Sequence, residues 1–297
     1  MNKKVLIIGG DSFLGKRLFK YLVDNGVEVK KTTRRPENID SDTFFFDLLN
    51  FDDSFDTPSD IVIFLAGVWN YQECQNTSES RHVNVDITTK LATCLLAKDK
   101  RVVLISSNTV FGGERPWCNE DDEHSPLFKY AEHKSDAEKA IEKASLSLNC
   151  QENLAIIRLT KLLSIETSPI PSWINSLGNE EQITPFTNLV FSPISVSFAT
   201  RNVANIALSK HSGRFHLSGD DNVNYLAFSE MLAKYFGFNT NMIAATTSYK
   251  AGVDIPFLPK YSGLSMSRTD KVMGIKAQHI SEVLDDLYGE YQQKVKK

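Results

Sequence analysis

Residues 3–27 read KKVLIIGGDSFLGKRLFKYLVDNGV, and this stretch decides the predicted fold. Val5–Ile8 is a short, unbroken apolar run, which is typical of a strand buried on both faces of a parallel sheet. Gly9-Gly10 ends the run, and from Leu14 onward apolar residues recur at helical spacing. The first N–H groups of a helix lack intrahelical partners and carry the positive end of its dipole. We therefore predict a strand, a glycine-rich turn and a helix that together bind a pyrophosphate.

The turn departs from the dinucleotide-binding fingerprint at its middle position, where Ser12 stands in place of glycine. Ser12 adds a β-carbon where the ligand comes closest, but the side chain is small and its hydroxyl can contact a phosphate. An ordinary strand–turn–helix corner without a ligand is the alternative. We favour the dinucleotide site because the three elements follow one another in the required order. The residues predicted to bind the cofactor in this turn are Gly9, Ser12, Phe13, Leu14 and Gly15.

The composition limits the classes of function. The chain has 297 residues and a net charge of −4, which provides no broad basic surface for a nucleic acid. No apolar run approaches the roughly 20 residues that span a membrane. The four cysteines show no metal-binding or redox spacing, which favours reduced thiols in a cytoplasmic protein. We expect no metal site, and we interpret the acidic run Glu120–Glu123 as a solvated loop.

Short apolar strands alternate with helical patterns along most of the chain. Strands are predicted at 5–8, 27–33, 43–46, 61–65, 102–105, 154–159 and 215–217, and helices at 78–96, 199–208, 226–236 and 280–291. This alternation favours parallel βαβ units, so we predict an α/β fold, a doubly wound parallel Rossmann-type sheet with a smaller C-terminal substrate lobe. The dinucleotide domain is expected to span 1–163, with 199–219 returning to it, and the lobe to take most of 164–297.

Three further segments are predicted to contact the cofactor, each at the end of a strand. Arg34-Arg35 ends the second strand, where arginine can pair with the additional phosphate of NADP and a carboxylate would hold the ribose of NAD. Because no carboxylate follows that strand directly, we favour NADPH and leave NADH open. Asp47 and Leu48 follow the third strand, where the carboxylate can meet the adenine amino group. Leu65, Ala66 and Gly67 end the fourth strand with small residues that let a cofactor lie against the backbone.

The predicted chemistry follows the fifth strand. Of the nine tyrosines, only Tyr130 has a lysine four residues later, so Tyr130 and Lys134 share a helix face. A free phenol has a pKa of about 10, and a nearby ammonium favours its ionised form. Ser106-Ser107 ends the fifth strand, where a hydroxyl can hold a substrate carbonyl while the tyrosine protonates its oxygen. The alternative for the Tyr–Lys pair is an ordinary solvated helix face.

These motifs resemble the extended short-chain dehydrogenase/reductase superfamily, and within it the dTDP-4-dehydrorhamnose reductase group. The resemblance is carried by GGDSFLG at Gly9–Gly15, LAG at Leu65–Gly67, HVNVDIT at His82–Thr88, ISSNTVFGG at Ile105–Gly113 and YAEHK at Tyr130–Lys134. It implies that Ser107 is the hydroxyl of a catalytic triad, Tyr130 the acid/base and Lys134 the residue that binds the nicotinamide ribose. Asn84 is implied as a supporting residue, and Ser106 joins the cofactor-binding set.

The sequence also departs from the group where the substrate is expected. Asn108-Thr109 replaces an Asp-Tyr pair, Ala131 replaces the glycine after the tyrosine, and Lys161 lies near the position of a missing aromatic residue. Trp69 and Tyr71 follow the fourth strand and either line a substrate pocket or cap the core. The candidate substrate residues are therefore Trp69, Asn108 and Lys161.

The resemblance implies an NADPH-dependent reductase of a nucleotide-linked 4-keto-6-deoxy sugar, acting on a small-molecule nucleotide-sugar substrate. One alternative is a sugar-nucleotide epimerase or dehydratase that keeps its NAD bound. Another is a nucleotide-binding regulatory protein without turnover, because a fold and its motifs do not establish activity. The sequence leaves a homodimer open.

Overall fold

The structure, a computed structural model, describes residues 3–52 and 54–296. The strands of these residues are β1 Lys4–Ile8, β2 Glu28–Thr33, β3 Thr43–Phe45, β4 Ile61–Phe64, β5 Arg101–Ser107, β6 Leu154–Leu159, β7 Lys161–Leu163, β8 Val190–Phe191, β9 Pro193–Ser195, β10 Gly213–Leu217 and β11 Val223–Asn224. The α-helices are α1 Phe13–Asp24, α2 Tyr71–Asn76, α3 Ser78–Arg81, α4 Thr88–Leu96, α5 Lys129–Ser147, α6 Ile170–Gly178, α7 Val196–Leu208, α8 Tyr225–Phe236, α9 Ser267–Met273 and α10 Ile280–Val295.

Seven strands form one central sheet in the order β10-β6-β5-β4-β1-β2-β3. β1 runs parallel to both of its neighbours, with Val5 opposite Ile61 of β4 and Lys4 opposite Glu28 of β2. The strand order therefore reverses on either side of β1, which makes the carboxyl end of β1 the topological switch point where open α/β sheets bind ligands. The predicted doubly wound Rossmann-type fold is confirmed.

The apolar runs form strands because both faces of the sheet are covered. Leu6 and Ile8 of β1 lie in one core with Leu91 and Leu95, which α4 contributes from one face of the sheet. A strand covered on both faces has no polar side to alternate with, so its sequence is a continuous apolar run. This is why Val5–Ile8 could be read as a central strand.

The chain divides into two compact units. The first unit contains the chain up to Phe111, then 123–158 and 200–215, and the second contains 112–122, 159–199 and 216 onward. The second unit has its own core, formed by α6, α8 and α10. Trp173, a large aromatic of that core, packs edge-on against Tyr225 with ring centroids 5.7 Å apart.

Two sequence-based expectations about secondary structure and solvent exposure are wrong. The helix expected over 78–96 is interrupted by a π-helical turn at His82–Ile87, which contains the predicted site residue Asn84. The acidic run Glu120–Glu123 is not uniformly solvated, because Glu120 is only 2% exposed and its carboxylate lies 4.0 Å from the imidazole of His216. The sequence could not reveal this contact, because His216 lies nearly 100 residues after Glu120 in the chain.

Within the described chain, no helix combines the length and the apolar character that a bilayer crossing requires. The four cysteines are free thiols.

Candidate active site

The glycine-rich turn brings two backbone segments into close approach at the switch point. Gly9 has a φ of +91°, and a β-carbon there would lie 2.5 Å from the backbone nitrogen of Ala66. A β-carbon on Gly15 would lie 2.5 Å from the carbonyl oxygen of Gly9. Both positions therefore require glycine, one for the sharp turn and one so that α1 can pack on the turn.

Ser12 fits the turn without crowding it. Its backbone is extended, with φ −65° and ψ 161°, and its hydroxyl caps α1 by accepting a hydrogen bond from Gly15 N at 3.1 Å. Within the described residues, no hydrogen bond engages the backbone N–H groups of Phe13 and Leu14. A pyrophosphate fits these residues, because two helix N-terminal N–H groups and the serine O–H are left to donate to it.

The loop after β4 is held by Asn84. The Asn84 amide accepts a hydrogen bond from Val68 N at 2.7 Å and donates one to Val68 O at 2.8 Å. One side chain thus satisfies both backbone polar groups of Val68, as a neighbouring strand would. The loop contains Gly67, where a β-carbon would lie 2.9 Å from Asn84 Oδ1. The π-helical turn thus places the Asn84 amide on the loop 65–68, and the supporting role implied for Asn84 in the site stays a prediction.

The predicted adenosine end of the site contains one carboxylate more than expected. Arg34 and Arg35 are exposed after β2, as the sequence suggests. The side chain of Asp11, however, reaches across from the glycine-rich turn and accepts hydrogen bonds from Thr33 Oγ1 and from Asn38 Nδ2. The expectation that no carboxylate lies at this point is therefore wrong. Sequence order hides the contact, because Asp11 and Thr33 become neighbours only when β1 and β2 pair.

Asp47 lies after β3, where the sequence places it. Its carboxylate caps the short turn Leu48–Asn50 by accepting from Leu49 N and from Asn50 Nδ2. Two of its lone pairs remain for other donors.

The two serines at the end of β5 have different partners. The Ser107 hydroxyl accepts from Thr109 N at 3.2 Å and from Thr109 Oγ1 at 2.9 Å, and it donates to Asn108 Oδ1 at 3.4 Å. The Ser106 hydroxyl donates instead to the fully buried carboxylate of Glu138. The side chain of Ser106 thus bonds to the protein interior, and the cofactor contact predicted for Ser106 stays a prediction.

Tyr130 and Lys134 lie one turn apart near the start of α5, beside the end of β5. Lys134 Nζ is 5.9 Å from the centre of the Tyr130 ring and donates to the carbonyl oxygen of Ile105 at 2.9 Å. Because Ile105 precedes Ser107 by two residues on the same strand, the hydrogen bond fixes the ammonium next to the strand end that carries Ser107. The structure therefore places Lys134 beside the strand end that carries Ser107, with Tyr130 one helical turn away.

The expected acidification of the phenol is not found. Burial raises the pKa of Tyr130 to about 12, and the nearby Cys74 acts in the same direction. Burial lowers the pKa of Lys134 to about 8, against the attraction of the Glu138 carboxylate. Both groups are protonated at neutral pH, and the cost of burying the phenolate exceeds the help of an ammonium whose hydrogen bond goes to a carbonyl.

A buried ionic network that the sequence analysis missed lies behind this site. Glu138 and Arg158 are both fully buried, and Glu138 accepts from Arg158 Nε and Nη2, the latter at 2.7 Å. Arg158 Nη2 also contacts His124 Nε2 at 2.7 Å. Burial, together with the charge of Arg158, lowers the pKa of His124 to about 4, so this imidazole is neutral and accepts the bond. The one feature of the sequence that could have indicated this network is the position of Glu138, one helical turn after Lys134.

Aromatic rings flank the phenol. Tyr130 stacks on Phe128 at 6.2 Å between centroids, and Phe128 contacts Tyr71 at 6.0 Å. Trp69 is 79% exposed in the loop after β4. Lys161 lies on β7 of the second unit, and a role for it in substrate binding stays a prediction.

A switch-point turn and a Tyr–Lys pair beside the fifth strand define a Rossmann-type protein with the side chains of a short-chain dehydrogenase/reductase site. The chain belongs to the family described as the RmlD substrate binding domain, whose sequence model matches residues 3–293. This confirms the resemblance found in the sequence. Among residues 3–52 and 54–296, no group of three or more His, Cys, Asp or Glu side chains could hold a metal ion.

Solved structures share the fold at low sequence identity. A dTDP-4-dehydrorhamnose reductase from Clostridium acetobutylicum is 21% identical, with a TM-score of 0.80 over 97% of this chain and 99% of that chain. A dTDP-4-dehydrorhamnose reductase from Bacillus anthracis in complex with NADP is 18% identical, with a TM-score of 0.79 over 98% and 99%. A UDP-N-acetylglucosamine 4-epimerase from Methanobrevibacter ruminantium is 18% identical, with a TM-score of 0.80 over 99% of each chain. No curated protein is significantly similar to the chain in sequence.

Proposed function

We propose that the protein is an NADPH-dependent reductase of a nucleotide-linked 4-keto-6-deoxy sugar. The observation that carries the proposal is the hydrogen bond that holds Lys134, one helical turn from Tyr130, at the end of β5 that also carries Ser107. In the parallel sheet this end of β5 lies on the same side as the glycine-rich turn after β1. A phenol and an ammonium at this place suit the protonation of a carbonyl oxygen.

Each side chain has one task in the proposed reaction. When NADPH is bound, it would supply the hydride that reduces the keto carbon. Ser107 holds the carbonyl oxygen, and Tyr130, whose phenol is protonated at neutral pH, donates its proton to that oxygen. Lys134 binds the nicotinamide ribose, and its positive charge stabilises the phenolate that remains.

Two observations support NADPH as the cofactor. The carboxyl end of β2 carries two exposed arginines, Arg34 and Arg35, which can pair with a phosphate on the adenosine ribose. The Bacillus anthracis reductase with the same fold was solved in complex with NADP. The same site can take NADH, since the pyrophosphate contacts at Phe13 and Leu14 do not distinguish the two.

The family and the named reductases with this fold support the proposed sugar class. Trp69 and Asn108 are the proposed substrate contacts of the first unit, the first by its exposed ring and the second by its amide beside Ser107. The four free thiols support a cytoplasmic enzyme. A homodimer stays a prediction.

An epimerase is the second candidate, because the fold is matched equally well by a UDP-N-acetylglucosamine 4-epimerase. An epimerase returns the hydride to its substrate, so its nicotinamide is not consumed. A regulatory protein without turnover would bind the dinucleotide and leave the sugar unchanged.

The test is to mix the purified protein with NADPH and a panel of nucleotide-linked 4-keto-6-deoxy sugars, and to follow both the reduced nicotinamide and the sugar. Oxidation of one NADPH for each sugar reduced supports the proposal. A changed sugar without NADPH loss identifies an epimerase. NADPH binding with no change in any sugar contradicts both enzymes.

A further inference from the structure

The carboxylate of Glu138 lies one turn of α5 beyond Lys134, on the same face of the helix. Both side chains reach β5. Lys134 Nζ donates to the carbonyl oxygen of Ile105 at 2.9 Å. The hydroxyl of the next strand residue, Ser106, donates to Glu138 Oε1. Two successive turns of α5 are thus bound to two successive residues of β5, immediately before Ser107.

The Glu138 carboxylate is held in one position. Its side chain is fully buried, and so is that of Arg158, which donates to both carboxylate oxygens, to Oε2 from Nη2 at 2.7 Å. Two donors on one carboxylate oxygen and a bidentate guanidinium leave the group no other arrangement of comparable energy. Its negative charge therefore stays at a fixed place beside the ammonium of Lys134.

The titratable groups that act on Lys134 come from α5 and α2. Glu138 on α5 and Cys74 on α2 both favour the ammonium, and burial opposes it. Burial raises the pKa of the Cys74 thiol, so this group is uncharged at neutral pH. The Tyr130 phenol is uncharged there too, because burial raises its pKa to about 12. Glu138 therefore supplies the negative charge that offsets the cost of burying the ammonium at neutral pH.

We propose that Glu138 is a positioning residue of the proposed reaction, whose fixed carboxylate keeps the ammonium of Lys134 charged at the end of β5. Glu138 acts through Lys134 and has no contact with the nicotinamide or the sugar in this account. The inference rests on the proposed function, in which that ammonium binds the nicotinamide ribose. Without the carboxylate, burial would lower the pKa of Lys134 further.

The experiment measures the Kd for NADPH by calorimetry between pH 6 and pH 10, on the wild type and on Glu138→Gln. Glutamine keeps the length of the side chain and an acceptor for Ser106, but it removes the charge. The wild-type affinity is expected to be level at low pH and to fall as the pH rises through about 8. In the variant the fall is expected about one pH unit lower. The two proteins then bind NADPH alike at pH 6 and differ by about fivefold at pH 8.

Two further variants separate the charge of Glu138 from its contribution to folding. Glu138→Gln leaves the buried guanidinium of Arg158 without its opposite charge, which lowers stability. The double variant Glu138→Gln/Arg158→Met removes both buried charges, and it is expected to show the same displaced fall in affinity. Glu138→Asp keeps a negative charge on a shorter side chain. Its fall in affinity is expected within about half a pH unit of the wild type, even where its stability is reduced.

Glu142→Gln is the matched control, because Glu142 lies one turn further along α5 and pairs with Arg214 at 2.6 Å. It loses the same charge and is expected to leave the fall in affinity at the wild-type pH. The proposal is overturned if the glutamine variants that fold lose affinity at the wild-type pH, or if Glu142→Gln shifts the fall equally. It is also overturned if neither glutamine variant folds, since Glu138 then has a structural role alone.

The wild-type titration separates this inference from the proposed function. A wild type that binds no NADPH at any pH contradicts the proposed function and this inference with it. An affinity that stays level to pH 10 contradicts the role of Lys134, and Glu138 then has nothing to position. A wild-type fall near pH 8 that the loss of Glu138 does not move contradicts this inference alone.

Discussion

Lys134 Nζ lies 5.9 Å from the centre of the Tyr130 ring, and its hydrogen bond goes to the backbone rather than to the phenol. The pKa of Lys134 is lowered to about 8 by burial, with the Glu138 carboxylate opposing the shift. The ammonium is therefore present below about pH 8 and is lost above it. The charge proposed to hold the nicotinamide ribose therefore disappears as the pH rises through this value.

We expect kcat/KM for NADPH-dependent reduction to be level below about pH 8 and to fall about tenfold for each pH unit above it. Circular dichroism at each pH separates this fall from unfolding. Lys134→Arg keeps a charge throughout the range, so whatever activity remains in that variant is expected to lack the fall. A wild-type profile that stays level to pH 10 contradicts the role of Lys134.

The adjacent serines of β5 are expected to respond differently to substitution. Ser107→Ala removes the hydroxyl proposed to hold the carbonyl, and turnover should fall by about 10²–10³ with little change in stability. Ser106→Ala leaves the buried Glu138 with one donor fewer, so the free energy of unfolding should fall by about 1–3 kcal/mol. Steady-state kinetics and urea unfolding on both variants distinguish the two roles. Equal losses of turnover would mean that Ser106 also faces the substrate.

Ser12 is expected to act on stability through the N-terminus of α1. Ser12→Ala removes the acceptor of Gly15 N and should lower the free energy of unfolding by about 1 kcal/mol, whereas Ser12→Gly should lower it by only a few tenths. The glycine variant also lacks the hydroxyl proposed to donate to the pyrophosphate, so it should bind NADPH about tenfold more weakly than the wild type. A gain of tenfold or more in Ser12→Gly would show that the β-carbon crowds the phosphate.

Much of the fold could be predicted because its strands and helices follow from patterns of neighbouring residues. Val5–Ile8 is apolar throughout because both faces of the sheet are covered, and the strand expected at Leu154–Leu159 has those bounds in the structure. The Tyr130–Lys134 pair could be found because four residues make about one helical turn. These features depend only on neighbours in the sequence.

The rest depends on contacts between distant residues. Asp11 meets Thr33 only through the pairing of β1 with β2, and Glu138 meets Arg158 only across the packing of α5 on the sheet. The pKa of Tyr130 was expected to fall and instead rises, because burial is a property of the folded surroundings and not of the spacing to Lys134. The apolar residues around Asn84 have the spacing of an ordinary α-helix, so the sequence does not indicate the π-helical turn there.

The central claim is that Tyr130 donates the proton to the reduced carbonyl. The most direct measurement compares Tyr130→Phe with Tyr225→Phe. Tyr225 is a matched control because it is also partly buried and burial also raises its pKa to about 12. It packs against Phe191 in the second unit. We predict that Tyr130→Phe lowers the rate of NADPH oxidation with the keto sugar by about 10²–10⁴, with the Kd for NADPH within about threefold, and that the control keeps its rate. A Tyr130→Phe protein that turns over like the control would contradict the account.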